Sequence, residues 1–135
     1  MDKKRYPRLA ADIIIRMNGS PTSIVLVRRK FPPEGWAIPG GFVEYGESVE
    51  EAAVREALEE TSLHVKLLRQ FHVYSDPGRD PRGHTVSIVF VASAEGTPVA
   101  QDDAADVQLV QKDHLPSPIA FDHQTILSDY FNNRY

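Results

Sequence analysis

Short apolar runs with β-branched centres, separated by turn residues, open the chain. Leu9–Met17, LAADIIIRM, predicts a strand, Asn18-Gly19-Ser20-Pro21 a strong turn, and Ser23–Arg29, SIVLVRR, a partner strand. The pair reads as a hairpin closed by a loop slightly longer than the minimum. Phe31–Gly41, FPPEGWAIPGG, is rich in proline and glycine and predicts a loop with a short extended piece around Trp36–Ile38. Two longer strands follow at His64–Tyr74 and His84–Ala94, then a polar loop at Gly96–Asp106 and a short strand at Val107–Val110. Lys112–Pro118 is a connector, after which Asp122 is placed to cap a final helix running to Asn132 on an apolar face of Ile126, Leu127, Tyr130 and Phe131.

The pattern switches to helical spacing only once before that terminal helix. Ser48 with Glu51 three residues on is a capping box, and the helix it opens should run to Thr61. Its apolar residues fall on two sides, Val49, Ala52 and Ala53 on one and Val54 and Leu58 on the other, so the helix is expected to be packed on both. Glu50 and Glu51 read as a solvated acidic face. Glu56, Glu59 and Glu60 stand at i, i+3 and i+4 and project together over about one turn. Three carboxylates so close repel one another unless a cation lies among them. Hard oxygen donors grouped this way suit Mg²⁺ or Mn²⁺, which commonly share their remaining positions with water and substrate phosphates. Arg55 can pair with Glu59 at i, i+4, which leaves Glu56 and Glu60 without a cation on the helix.

Composition narrows the classes without choosing among enzymes. The chain has 135 residues, 41% hydrophobic and 25% charged, enough for one globular domain, residues 1–135, with a core of its own. It has no cysteine, which removes disulfide frameworks and thiolate metal sites and is compatible with a reducing compartment. The basic opening MDKKRYPRLAADIIIRM carries only short apolar runs broken by Asp12 and Arg16, so neither a signal peptide nor a membrane span is expected, and a cytoplasmic location is the default. A net charge of −4 argues against a general nucleic-acid binder and leaves small phosphorylated partners open. The five histidines fall at no spacing that suggests a metal centre.

Two loops carry further chemistry. Ser75–Gly83, SDPGRDPRG, exceeds what a hairpin needs, and its Arg79 and Arg82 are guanidinium forks suited to phosphate oxygens or to stacking. Gly40-Gly41 delivers the chain to the acidic helix with backbone free to approach a ligand or turn sharply.

From Gly41 through Glu47, Arg55, Glu56, Glu59 and Glu60 to Leu63, the chain resembles the Nudix box, G-x5-E-x7-R-E-U-x-E-E-x-G-U with U a bulky apolar residue. Six fixed positions in register arise by chance in roughly one in 10⁵ chains of this length. Two positions depart from the pattern: Ala57 is a small first U, and Ser62 replaces the last glycine, where a left-handed cap would cost about 1 kcal/mol. YSDPGRDPRGHTVSIVF and the run Ala120-Phe121-Asp122-His123 are similar to segments of Nudix ADP-ribose pyrophosphatases and related domains of NAD metabolism.

The resemblance implies an α/β fold, a Nudix-type α/β/α sandwich with a mixed β-sheet. It also implies Mg²⁺- or Mn²⁺-dependent hydrolysis of a nucleoside diphosphate linked to another moiety, foremost ADP-ribose to AMP and ribose 5-phosphate. On that reading Glu59 and Glu60 are principal metal ligands, Glu56 a ligand or general base, Glu47 a supporting ligand, and Arg55 an ion-pair partner that orients a glutamate. Asp103 is the first choice for an additional acidic ligand or base from the polar loop. Gly40, Gly41, Arg28, Arg79 and Arg82 would meet the substrate, and a homodimer is common in the subgroup. The alternatives are a pyrophosphohydrolase of nucleoside triphosphates or dinucleoside polyphosphates, and a non-catalytic ADP-ribose sensor.

Overall fold

The computed structural model describes residues 4–135, so Met1–Lys3 of the basic opening lie outside the described residues. β1 (Arg8–Met17), β2 (Ser20–Arg29), β3 (Trp36–Ala37) and β4 (Gly40–Phe42) precede helix α1 (Val49–Thr61); β5 (Lys66–Tyr74), β6 (Thr85–Ala94) and β7 (Ala104–Gln111) precede helix α2 (His123–Phe131). The seven strands form one mixed sheet with the central order β3-β2-β1-β6-β5. β1 runs parallel to β6 along its whole length, from Arg8↔Thr85 to Met17↔Ala94.

The other edge of β1 is divided. Near the turn it pairs with β2, through Arg16↔Ile24 and Met17↔Ser20; farther on it pairs with β4, through Ala10↔Phe42 to Asp12↔Gly40. β2 meanwhile pairs with β3 at its far end and with β7 along its other side. The two opening strands therefore splay apart beyond their turn, and the fork between them is where a cavity opens. The turn itself is tighter than its sequence suggests. Asn18 and Gly19, at φ 53° and 77°, close it alone, and Ser20 is already in β2. Both residues tolerate the left-handed region that a two-residue hairpin turn requires.

Strand alternation sorts the core into two layers. Ile13 and Ile15 face Ala52, Ala53 and Ala57 of α1, whereas Ile14 faces Ile126, Leu127 and Tyr130 of α2. Three alanines on the buried side of α1 let the helix lie close to the sheet, which gives Ala57 a packing role at the position where a bulkier residue was expected. The two-sided packing expected of α1 is corrected: Val54 and Leu58 are 39% and 38% exposed, so the helix is covered on one face only. Ser48 and Glu51 form both hydrogen bonds of the capping box.

Ser62 ends α1 in the left-handed region at φ 63°, and its hydroxyl donates to the Val99 carbonyl at 3.0 Å. β7 starts at Ala104 rather than Val107 because pairing with β2 continues through Arg28↔Asp106 and Arg29↔Ala104. α2 begins after Asp122 as expected, but the Asp122 side chain makes no capping hydrogen bond.

Candidate active site

A cavity of about 250 Å³ occupies the fork of the sheet. Asp12 of β1, Val27 and Arg29 of β2, Gly40–Phe42, Glu56 and Glu60 of α1, the Arg79–Arg82 loop, Asp103, and Phe121 with His123 at the start of α2 all line it. The fold thus gathers Glu56, Glu60, Asp103, Gly40, Gly41, Arg79 and Arg82, which local sequence singled out. Arg28 is not among them. β2 turns Arg28 out to solvent and Arg29 into the cavity, a correction that follows from a one-residue change of face next to a register irregularity between the two arginines.

The carboxylates divide into two groups. Glu47 and Glu59 do not reach the cavity lining; they stand with Arg55, whose Nε and Nη2 donate to Glu47 at 2.6 and 2.8 Å and whose Nη1 donates to Glu56 at 2.8 Å and Glu59 at 3.1 Å. Arg55 also donates to the Phe42 carbonyl at 3.1 Å, tying α1 to β4. Arg55 is thus paired with three glutamates at once.

Glu56 and Glu60 face inward. Burial raises the pKa of the Glu56 carboxyl, with the Arg55 guanidinium opposing that rise. Burial raises Glu60 well above the carboxylate range, and the negative charge of Glu56 adds to it. The Gly40 N–H donates to Glu60 at 3.3 Å.

Asp103 reaches the same place through backbone bonds. The amides of Val99 and Gln101 donate to the last carbonyls of α1, on Thr61 and Glu60, and the Lys30 amide donates to the Asp103 carbonyl. The polar loop is therefore clamped over the helix end.

Asp12, Arg29, Phe121 and His123 also line the cavity and were not singled out. Asp12 had one local signal, a carboxylate inside an apolar strand. His123 lay in a run similar to ADP-ribose pyrophosphatases, but nothing local gave it a role, because its partners are distant in sequence.

Gly40 and Gly41 make room for side chains. A Cβ on Gly41 would lie 2.5 Å from the Glu56 carboxyl; one on Gly40 would strike the Asp12 carboxylate and backbone. Gly41→Ala should therefore displace the carboxyl end of the Glu56 side chain, lowering turnover about tenfold or more while changing stability by less than about 1 kcal/mol. Gly40→Ala meets backbone that cannot yield and should cost about 1–3 kcal/mol. Denaturant titration beside steady-state kinetics separates the two. Equal stability losses would remove this distinction.

The loop arginines differ. Arg79 is 4% exposed at its side chain and is held by both Asp122 oxygens, at 2.6 and 2.9 Å, so it tethers the loop to α2. This pairing also occupies the carboxylate expected to cap the helix. Arg82 pairs with Asp80 at 2.9 Å but stays 39% exposed, with its guanidinium about 5 Å from the ring centres of Phe42 and Phe121. Arg29 stands over Phe121 as well, at 4.9 Å.

Among the described residues, no three acidic, histidine or cysteine side chains converge closely enough to hold a metal ion by themselves. The donor chemistry nonetheless fits a hard divalent cation. Glu56, Glu60 and Asp103 are oxygen donors in one cavity, the charge of Asp103 adds to the raised pKa of both glutamates, and Mg²⁺ ordinarily keeps several positions for water and phosphate.

The NUDIX domain family matches residues 6–130. An ADP-ribose pyrophosphatase of Methanocaldococcus jannaschii is 46% identical over 96% of this chain and 79% of its own length. A MutT/nudix family protein from Enterococcus faecalis superposes with a TM-score of 0.85 at 28% identity, over 98% of this chain and 64% of that one. A bifunctional NMN adenylyltransferase/ADP ribose pyrophosphatase from Francisella tularensis, complexed with AMP and a Mn ion, superposes with a TM-score of 0.82 at 27% identity, over 98% of this chain and 43% of that one. With the box residues gathered at the fork of a mixed sheet between two helices, these likenesses show that the chain belongs to the Nudix family.

Proposed function

We propose that this Nudix hydrolase cleaves a nucleoside diphosphate linked to another moiety, with ADP-ribose as its principal substrate and AMP and ribose 5-phosphate as products. The observation that carries the reading is the convergence of Glu56, Glu60 and Asp103 with Arg29 and Arg82 in one cavity. Carboxylates there suit a divalent cation, and guanidinium groups suit the diphosphate. The likeness to the M. jannaschii ADP-ribose pyrophosphatase supports the choice of substrate.

Hydrolysis adds a water oxygen to one phosphorus, breaks its bond to the anhydride oxygen and leaves that oxygen on the other phosphate. Glu56, Glu60 and Asp103 would hold Mg²⁺ or Mn²⁺, which supplies neutralisation of phosphate charge and acidification of bound water. Arg55 fixes Glu56 from behind and keeps Glu47 and Glu59 in line, as outer supports rather than principal ligands. Glu56, with its raised pKa and its bond to Arg55, is suited to take the proton from water. Arg29 and Arg82, both beside the Phe121 ring, would meet the diphosphate, while Arg79 holds the loop that carries Arg82.

Product analysis with Mg²⁺ on ADP-ribose, NADH, diadenosine polyphosphates and nucleoside triphosphates tests this reading. AMP should appear fastest from ADP-ribose, and Arg82→Ala should raise KM for it more than Arg28→Ala does. Faster turnover of another compound overturns the substrate assignment; tight ADP-ribose binding with no turnover of anything makes the chain a sensor.

A further inference from the structure

Asp12 sits in the middle of β1, flanked by Ala11 and Ile13, and is 7% exposed. One of its oxygens, Oδ2, accepts a short hydrogen bond from the Ser87 hydroxyl of β6. The other, Oδ1, lies against Gly40 at the point where a Cβ would stand, and it has no hydrogen-bond partner among the described residues. His123 is 3% exposed, and its Nδ1 accepts the Ile38 N–H at 3.0 Å. That bond places the ring proton on Nε2 of a neutral imidazole. Burial favours the same neutral form by lowering the ring's pKa.

Nε2 stands 3.9 Å from Asp12 Oδ2, beyond hydrogen-bond reach, and has no other partner among the described residues. Yet no fully buried side-chain nitrogen or oxygen among these residues lacks a partner. Asp12 Oδ1 and His123 Nε2 must therefore open into the cavity that both residues line. Each is oriented by a second bond, and each is left to be satisfied from the cavity side. Two groups kept only for packing would be expected to bond each other, because a deeply placed polar group without a partner is costly.

We propose that Asp12 and His123 form a subsite for the vicinal hydroxyls of a ribose. One hydroxyl donates to Asp12 Oδ1 and its neighbour accepts from His123 Nε2–H. A phosphate is repelled by the carboxylate. Gly40, which lies against Asp12 Oδ1, also donates its N–H to Glu60, which puts the subsite beside the expected diphosphate position, where a nucleoside diphosphate carries its sugar. The inference rests on the nucleoside diphosphate reading and names the group by which that substrate is selected. Either ribose of ADP-ribose has the required chemistry, so the test must separate them.

The test is a set of binding titrations with metal chelated, followed by the fluorescence of Trp36. This is the chain's single tryptophan, and its backbone is bonded to Pro118 and Ala120 next to the site. The ligands are ADP-ribose, its 2′-deoxyadenosine analogue, its analogue with a 2-deoxy terminal ribose, and the pair ATP and 2′-deoxy-ATP. The protein should discriminate about tenfold or more against the analogue lacking the hydroxyl it holds, and that analogue identifies the half of the substrate bound. In Asp12→Asn and His123→Gln the ratio should fall toward one, through weaker binding of the hydroxylated ligand alone.

A ratio of two ligands on one variant does not depend on the fraction folded, so partial unfolding does not mimic the result. Equal binding of all ribo and deoxy partners by the unmodified protein overturns the subsite. If ATP is preferred to ADP-ribose and 2′-deoxy-ATP is rejected, the subsite stands and the ADP-ribose assignment falls. Absence of binding by every ligand overturns both.

Discussion

Glu60→Gln should lower turnover on the order of 10³-fold and, with metal chelated, raise the melting temperature. The first effect follows from the several kcal/mol of transition-state charge stabilisation that a bound divalent ion supplies, converted at about 1.4 kcal/mol per tenfold. The second follows from burial. Glu60 is 9% exposed, faces the charges of Glu56, Asp12 and Asp103 against that of Arg29, and among the described residues its side chain accepts one hydrogen bond, from the Gly40 N–H. Glutamine keeps an oxygen to accept that bond and removes the charge, so the metal-free fold should gain about 1–2 kcal/mol.

Addition of Mg²⁺ should reverse the order. An ion that binds only the folded protein stabilises it by mass action, and the variant lacks a ligand to bind it. Calorimetric melts with chelator and with Mg²⁺, beside kinetics on the same preparations, check both halves. Turnover within tenfold of the unmodified protein would take Glu60 out of the metal site, whatever the melts show.

Such a stability–activity conflict was legible in the sequence only as far as local spacing reaches. The capping box from Ser48 to Glu51 fixed the phase of α1, and that phase put Glu56 and Glu60 on one side of the turn. Both are properties of a few adjacent residues. The expectation for Val54 and Leu58 failed because apolar spacing records which faces can be buried, whereas the sheet covers only one. The expectation for Arg28 failed because a strand's face is decided by register, and the irregularity at Arg28 and Arg29 lies in their pairing with Asp106 and Ala104 of β7, far along the chain.

Nonlocal partners account for the rest. Arg79 reads as a free fork until Asp122, 43 residues on, occupies it. His123 and Ile38 are 85 residues apart, and no spacing rule links them. Ser62 shows the opposite case: a strained cap could be expected from one residue, and the same residue supplies the hydroxyl that helps bring the Asp103 loop to the helix end.

Arg55→Lys should keep the positive charge yet lower turnover by about 10²-fold, because a slight misplacement of a reacting carboxylate is enough for that. The guanidinium makes bonds to Glu47, Glu56, Glu59 and the Phe42 carbonyl at once. An ammonium has three donors from one point and cannot reproduce this planar fork. Some of the acidic residues would be left to repel one another, and α1 would lose its tie to β4, so the melting temperature at neutral pH should fall too.

The pH dependence tells this loss from a general weakening. Hydrogen bonds from Arg55, followed by the Glu44 interaction, pull the Glu47 carboxyl down from the usual 4.5 to about 2. A carboxyl whose folded pKa is depressed contributes stability that is fully present above its unfolded pKa and is lost as pH falls through the folded value. The window is therefore about 4.5 down to about 2. The stability difference between the unmodified protein and Arg55→Lys should be largest above pH 4.5 and should shrink steadily toward pH 2, because protonation removes from the former what the latter already lacks. Denaturant titrations across that range measure it. A difference that stays constant with pH would mean that Arg55 acts by packing alone, and that the line of carboxylates behind the cavity is held by something other than its charge.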